Sequence, residues 1–285
     1  MIEDVVSNFR RVYQAKREVK PKPGWFSRIP LALVASVLEK TMGIVLVVLI
    51  WELAPRLEFI DPFLLPPFSE IIQSLFNLVV TGEIFKHFSI SITRSATGFF
   101  IGIGIAIPLG IFMGWYSKLE EVVDPLVQAC RNSSVLALYP VFLLLFGIGE
   151  VSKMAIIIWG TIWPALLNTI SGVKNTDPLL IKAARSMGVS KLTLLYKVIA
   201  PAALPSILTG VRLSAASSIL VLVAAEMIGA NAGLGFMIFY FEERYAVPEM
   251  YAGIITMSLI GVAVNYLLVA LEKRLIGWKE KMVNE

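Results

Sequence analysis

Long apolar runs dominate this chain, and they show neither the short alternation of strands nor the striped faces of surface helices. They fall at about 41–57, 92–116, 125–148, 151–173, 206–229 and 251–271. Each is close to the roughly 20 residues that a helix needs to cross a hydrocarbon core of about 30 Å. Because backbone groups in hydrocarbon find no water to bond, spans of this kind are helical. The pattern predicts an all-α membrane protein with about six transmembrane helices. Glu39 and Lys40 precede the first run and Glu52 lies near its end, so that helix is expected to begin upstream as an interfacial segment around Trp25–Leu38.

The polar intervals are also informative. The connection over about 58–91 holds Leu65-Pro66-Pro67 and then Ser69 through Phe76 with apolar residues at helical spacing, which predicts a short amphipathic helix capped by Ser69. The connection near Gly147–Glu150 is very short, and that over about 230–250 is acidic through Glu242, Glu243 and Glu249. The second run carries Gly98, Gly102, Gly110 and Gly114, small residues four apart that let helix backbones approach closely in lipid. Pro108, Pro140 and Pro164 lie inside predicted spans, where neighbouring groups can take up the freed carbonyls.

The interval 174–201 reads as two short helices. Asp177 is placed to cap the first with Pro178 at its first position, Gly188 to close it in the left-handed conformation, Ser190 to cap the second and Pro201 to end it. Ala183 and Ala184 would permit close approach to another protein's groove, with Lys182 and Arg185 beside them. An ordinary connector between spans satisfies the same caps and charges.

Composition narrows the function. Only 16% of residues are charged and 57% are hydrophobic, with a mean hydropathy of +0.77, where soluble domains carry about 25% charged residues. The sequence pI near 9.1 would suit nucleic acid, but there is no basic patch with interleaved aromatics, so no nucleic-acid partner is expected. A single cysteine, Cys130, and a single histidine, His87, exclude an internal disulfide and a metal site built on several His or Cys ligands.

No A-x-A-like cleavage site follows a short apolar region, so the first segment is expected to stay in the membrane. With the N-terminus inside, 18 Lys and Arg fall on the cytoplasmic side, while Arg56, Lys86, Lys153 and Arg244 fall outside. Positive residues in short loops favour the cytoplasm, so both termini are assigned there. The division is a cytoplasmic segment at 1–40, a transmembrane domain at 41–272 containing the 174–201 loop, and a cytoplasmic tail at 273–285.

The loop resembles the so-called EAA loop of ABC importer permeases, whose pattern is Glu-Ala-Ala, three residues, Gly, nine residues and then Ile-x-Leu-Pro. Ala183, Ala184, Gly188 and Pro201 match at that spacing with Val198 at the Ile position, while Lys182 replaces the Glu and Ala200 the Leu. Further segments are similar to the branch importing nitrate, aliphatic sulfonates, taurine or bicarbonate: Leu65 through Glu70, Phe146 through Lys153, Ala225 through Gly229, and Gly233 through Phe236. Where that branch has an Arg followed by a proline-rich segment, this chain has Arg131-Asn132-Ser133-Ser134.

The resemblance implies a type I ABC importer permease fold in a bacterial-type inner membrane. It implies a second permease copy forming a homodimer, ABC ATPase subunits docked on Lys182, Ala183, Ala184, Arg185, Gly188 and Pro201, and a periplasmic or lipid-anchored substrate-binding protein. ATP and Mg would be bound by the ATPase, with no cofactor in this chain.

Nothing in the sequence hydrolyses ATP. Gly147 through Lys153 lacks the Gly-Lys-Ser/Thr ending of a phosphate loop, and no H-E-x-x-H or G-x-S-x-G is present. Charged and polar residues in spans are the pathway candidates. Arg131, near Asn132, Ser133 and Ser134, is placed to attract an anion or to pair with another helix. Glu226, with Asn231 nearby, suits pairing with an arginine or holding a gate better than contact with an anion. Arg94 is placed where its side chain could reach the interface, and Tyr139 is read as packing. A small anion is the expected substrate and a neutral or aromatic nutrient the alternative. A channel or secondary transporter would leave the helix-pair loop unexplained.

Overall fold

The computed structural model describes residues 31–276, and all the regular structure among them is helical. In chain order the elements are α1 (Leu31–Arg56), α2 (Phe68–Val80), α3 (Glu83–Trp115), α4 (Ser117–Asn132), α5 (Val135–Phe146), α6 (Glu150–Lys174), α7 (Pro178–Ser186), α8 (Lys191–Leu194), α9 (Ala200–Gly229), α10 (Leu234–Glu243) and α11 (Val247–Leu275). The basic stretch through Arg28 and the tail from residue 277 lie outside the described residues.

Four helices among the described residues are long and apolar enough to cross a membrane, and the bent pair α4–α5 makes a fifth if it counts as one span. The sequence predicts about six spans; the first of them falls within α1, a continuous 26-residue helix from Leu31, which is not among these four or five. The predicted span 125–148 is corrected: it breaks at Ser133–Ser134 into two helices bent by 97°. Extended backbone at both residues breaks the ladder, and each hydroxyl bonds locally: Ser133 Oγ donates to the Ala129 carbonyl and Ser134 Oγ accepts from the Ala137 amide.

A core of three helices, α3, α6 and α9, organises the rest. α3 and α6 run parallel in register: added Cβ atoms at Gly98, Gly102, Gly110 and Gly114 would meet Ile157, Thr161, Thr169 and Val173 in turn, at 2.5–2.9 Å. With buried Ala106 between the two glycine pairs, the four-residue spacing is thus a continuous seam that leaves no room for a methyl group at its glycine positions. Gly160, Gly172 and Gly210 make equally close crossings between α6 and the antiparallel α9. Thr161 and Thr169 turn their hydroxyls back to their own helix, donating to the carbonyls of Ile157 and Ala165, so the seam contains no unpaired hydroxyl. α10 and α11 pack beside α9, and α2 lies against α11.

α2 is the amphipathic helix that the sequence predicts, but Ser69 does not cap it. Pro67 precedes its first residue, and Ser69 instead bonds Glu52 of α1 through both its amide and its hydroxyl at 2.9 Å, while Arg56 donates to the same hydroxyl. The carboxylate competes successfully for the serine because the Leu57–Pro67 connection folds α2 back against the end of α1.

Candidate functional site

α6 is 25 residues long, roughly 37 Å at 1.5 Å per residue. The 175–199 segment follows one of its ends and a cluster of charges surrounds the other.

At the first end, local chemistry shapes the helix pair. Asp177 accepts the Leu179 amide at 2.8 Å, Pro178 opens α7 where no amide is needed, and Gly188 turns the chain at φ +73°. Ser190 accepts the Thr193 amide at 3.2 Å to start α8.

Pro201 does not end this second helix. A π turn at Leu195–Ile199 joins α8 directly to α9, with the Ala200 amide donating to the Leu195 carbonyl. Widening by one residue relieves the clash of the proline ring with the preceding turn, so the chain passes into the span without a break.

The alanines divide as well. Ala184 is buried against Val173, Leu194, Ile199 and Ala203, whereas Ala183 is exposed together with Lys182 and Arg185. Neighbours on a helix lie about 100° apart, so only one of the two can face outward; the other anchors the loop. Ile107, Ile111 and Trp115 of α3 pack on the same cluster. The helix pair therefore rests on the ends of all three core helices, while Leu179, Met187, Leu192 and Tyr196 stay exposed.

At the far end Arg94 turns inward and does not reach an interface: it is 7% exposed. Its Nε and Nη2 donate to both oxygens of Glu150 at 2.6 Å, and Nη1 donates to Glu226 at 2.8 Å and to the Ala232 carbonyl. Glu226, fully buried, also accepts from the Ser91 hydroxyl and from the Gly235 amide at 2.9 Å. Ser91 Oγ in turn accepts the Leu234 amide, and His87 Nδ1 accepts the Gly233 amide at 3.0 Å.

Lys153 adds a bond to Glu150 at 3.2 Å. Two cations and two carboxylates thus balance, tying α3, α6 and α9 to the 230–233 turn. Gly233 is required there, because φ is +126° and a Cβ would lie 2.2 Å from a Glu226 oxygen.

Glu226 therefore meets an arginine, as its position in a span suggests, but Asn231 is exposed in the turn outside the cluster. Tyr139 packs as read, donating to the Ala225 carbonyl at 3.1 Å. Arg131, Asn132 and Ser134 are exposed at the α4–α5 break, and the Arg131 side chain makes no hydrogen bond or ion pair among the described residues. None of the quartet makes a hydrogen bond or ion pair with Glu226, whose partners are Arg94, Ser91 and the Gly235 amide. Sequence reasoning missed Glu150, Ser91 and Lys153. The available signal was that Glu150 opens a long apolar helix three residues ahead of a lysine.

A separate apolar cleft of ≈ 640 Å³ lies between α9, α10 and α11, bordered by Leu220, Val223, Met227 and Ile254, with Glu242 its only charged lining residue. No group of three or more His, Cys, Asp or Glu among the described residues could hold a metal ion.

Comparison with known proteins bears on the family and the fold. Residues 106–277 match the model of the family described as binding-protein-dependent transport system inner membrane component. The putative aliphatic sulfonates transport permease protein SsuC of Bacillus subtilis is 35% identical over 82% of this chain and 84% of its own length. The taurine transport system permease protein TauC of Escherichia coli is 33% identical over 88% and 92%, and the formylaminopyrimidine transport permease protein ThiX of Halalkalibacterium halodurans is 31% identical over 86% and 97%. Among solved structures, the MetNI methionine ABC transporter in an inward-facing conformation superposes with a TM-score of 0.58 at 17% identity, covering 65% of this chain and 92% of the matched one.

Proposed function

We propose that this chain, which belongs to the family of binding-protein-dependent transport system inner membrane components, forms the membrane pathway of an ATP-driven importer and couples it to a separate ATPase through the 174–201 loop. A member of this family is a permease subunit and not itself an enzyme. The observation that carries the coupling reading is the helix pair at 178–194: a rigid, capped unit, seated on the ends of the three core helices and exposing apolar side chains where a partner would cover them.

On this reading the loop end faces the cytoplasm and the Arg94 cluster the outside, in keeping with the lysine and arginine bias, and both termini are cytoplasmic in a bacterial-type inner membrane. Two copies enclose the pathway, ATPase subunits bind ATP and Mg beneath them, and a binding protein delivers substrate from outside. A pull on the helix pair moves α3, α6 and α9 as one body, because the glycine seam leaves them no slack; the transition is a choice between two packings of rigid units.

The substrate we propose is a small anion such as a sulfonate or taurine, supported by the names of the relatives. A neutral heteroaromatic is the second reading. It is favoured by the apolar cleft, whose lining offers no cation, and by the pyrimidine transporter among the relatives. Uptake of labelled taurine, an alkanesulfonate, nitrate, bicarbonate and an aminopyrimidine into vesicles holding the full complex separates the two. Saturable ATP-dependent uptake of one anion supports the first reading; uptake of the pyrimidine alone removes it.

A further inference from the structure

α7 presents faces of different chemistry. At about 100° per residue, Ile181 and Ala184 fall on the side turned to the bundle, packed in its core. Leu180, Ala183 and Met187 fall within about 60° of one another on one shoulder, and all three are exposed. Lys182 and Arg185 share the opposite shoulder, also exposed, and Leu179, 73% exposed, lies on the outward crest between the two. The 175–199 segment holds four basic residues, with Lys191 and Lys197, against one acid, and that acid, Asp177, is occupied in capping. None of the four cations forms an ion pair among the described residues.

This arrangement describes the shape of what receives it. A helix lying on a flat bilayer gathers its apolar residues on one face with basic residues snorkelling at its edges. Here the basic shoulder and the apolar shoulder centre about 160° apart around the helix with Leu179 on the crest between them, and a groove, unlike a flat surface, touches both shoulders at once. Resting on the reading that the loop couples to an ATPase, we infer that the receiving groove has two unlike walls, an apolar one for Leu180, Ala183 and Met187 and an acidic one for Lys182 and Arg185.

The sign of charge at 182 and 185 then selects the partner: an ATPase with a basic wall sets like charges together and is rejected. Arg185, able to fork onto a carboxylate, supplies the more directional contact.

The test embeds the full chain in nanodiscs and measures binding of the ATPase encoded beside it. Wild type, Lys182→Glu/Arg185→Glu and Met187→Asp are compared at about 0.05 and about 0.5 M salt, where the Debye length falls well below the width of a groove. Wild-type affinity is expected to drop with salt. The charge-reversed variant is expected to bind at least about tenfold more weakly at low salt, to improve as salt rises, and to regain affinity with an ATPase whose facing acids are changed to lysine. Met187→Asp is expected to lose affinity at both salts.

Unchanged affinity and salt dependence of the reversed variant overturn the inference. So does lost binding that no acid-to-lysine change restores, or an effect confined to attachment of phosphatidylglycerol vesicles. If the wild-type chain binds no ATPase at either salt, the coupling reading itself fails.

Discussion

Replacing Arg94 with methionine removes the one group that Glu150 and Glu226 share. Glu226 is fully buried and would keep only the Ser91 hydroxyl and the Gly235 amide. Removing one partner of a buried ion pair costs about 3–5 kcal/mol, because the remaining charge is left uncompensated. Glu150, whose side chain is 59% exposed and which retains Lys153, reaches water, so its share is about 0–1 kcal/mol. The expected loss for Arg94→Met is therefore about 3–5 kcal/mol, nearly all of it from Glu226.

Glu226→Gln leaves Arg94 its two bonds to Glu150 and its bond to the Ala232 carbonyl, and should cost about 1–3 kcal/mol. In the double variant no buried charge is stranded, so its cost should fall short of the sum of the single costs by about 2 kcal/mol. Equilibrium unfolding in mixed micelles measures all three. Additive costs, or an Arg94→Met loss below about 1 kcal/mol, would show that the pair does not hold α3, α6 and α9 together, and the rigid-body account would lose its far-end anchor.

Other outcomes follow from the glycines and the loop. Gly110→Ala puts a methyl group 2.7 Å from Thr169 Cβ and 3.0 Å from a backbone carbonyl, which should cost about 1–3 kcal/mol, whereas Gly104→Ala meets nothing within 4 Å and should be neutral or slightly stabilising in the same unfolding assay. Gly233→Ala should destabilise far more than Gly82→Ala, though φ is positive at both, because only at Gly233 would the new methyl displace a buried carboxylate; melting temperatures of the purified variants check the order. Gly188→Ala meets open space at φ +73° and should cost only the backbone penalty of about 1–2 kcal/mol, leaving ATP-driven uptake measurable, while Gly188→Asn should be milder still.

Much of this architecture is legible in the sequence because hydrocarbon imposes one rule on the backbone. Apolar length predicts four spans and the bent α4–α5 pair, and the four-residue glycine spacing predicts a helix contact, although not that the partner runs parallel in register. The caps at Asp177, Gly188 and Ser190 are readable because each satisfies a local bond.

What the sequence hides is set by distant partners. Ser69 looks like a cap until Glu52 is folded against it, and Pro201 looks like a stop until the π turn makes room for it. Arg94 and Glu226 lie 132 positions apart, and their union depends on α3 and α9 crossing beside the 230–233 turn, which no local pattern encodes. The break at Ser133–Ser134 is hidden by the uniform hydropathy on its far side.

The central claim is that the 174–201 loop carries force between an ATPase and the membrane helices. ATP hydrolysis by the complete complex in lipid, with and without loaded binding protein, tests it directly when wild type is compared with Gly188→Pro. Proline cannot adopt φ +73°, so the helix pair is disrupted while the spans persist. Substrate-stimulated hydrolysis in wild type that is lost in a normally inserted Gly188→Pro complex is the predicted result; equal stimulation in both would contradict the account.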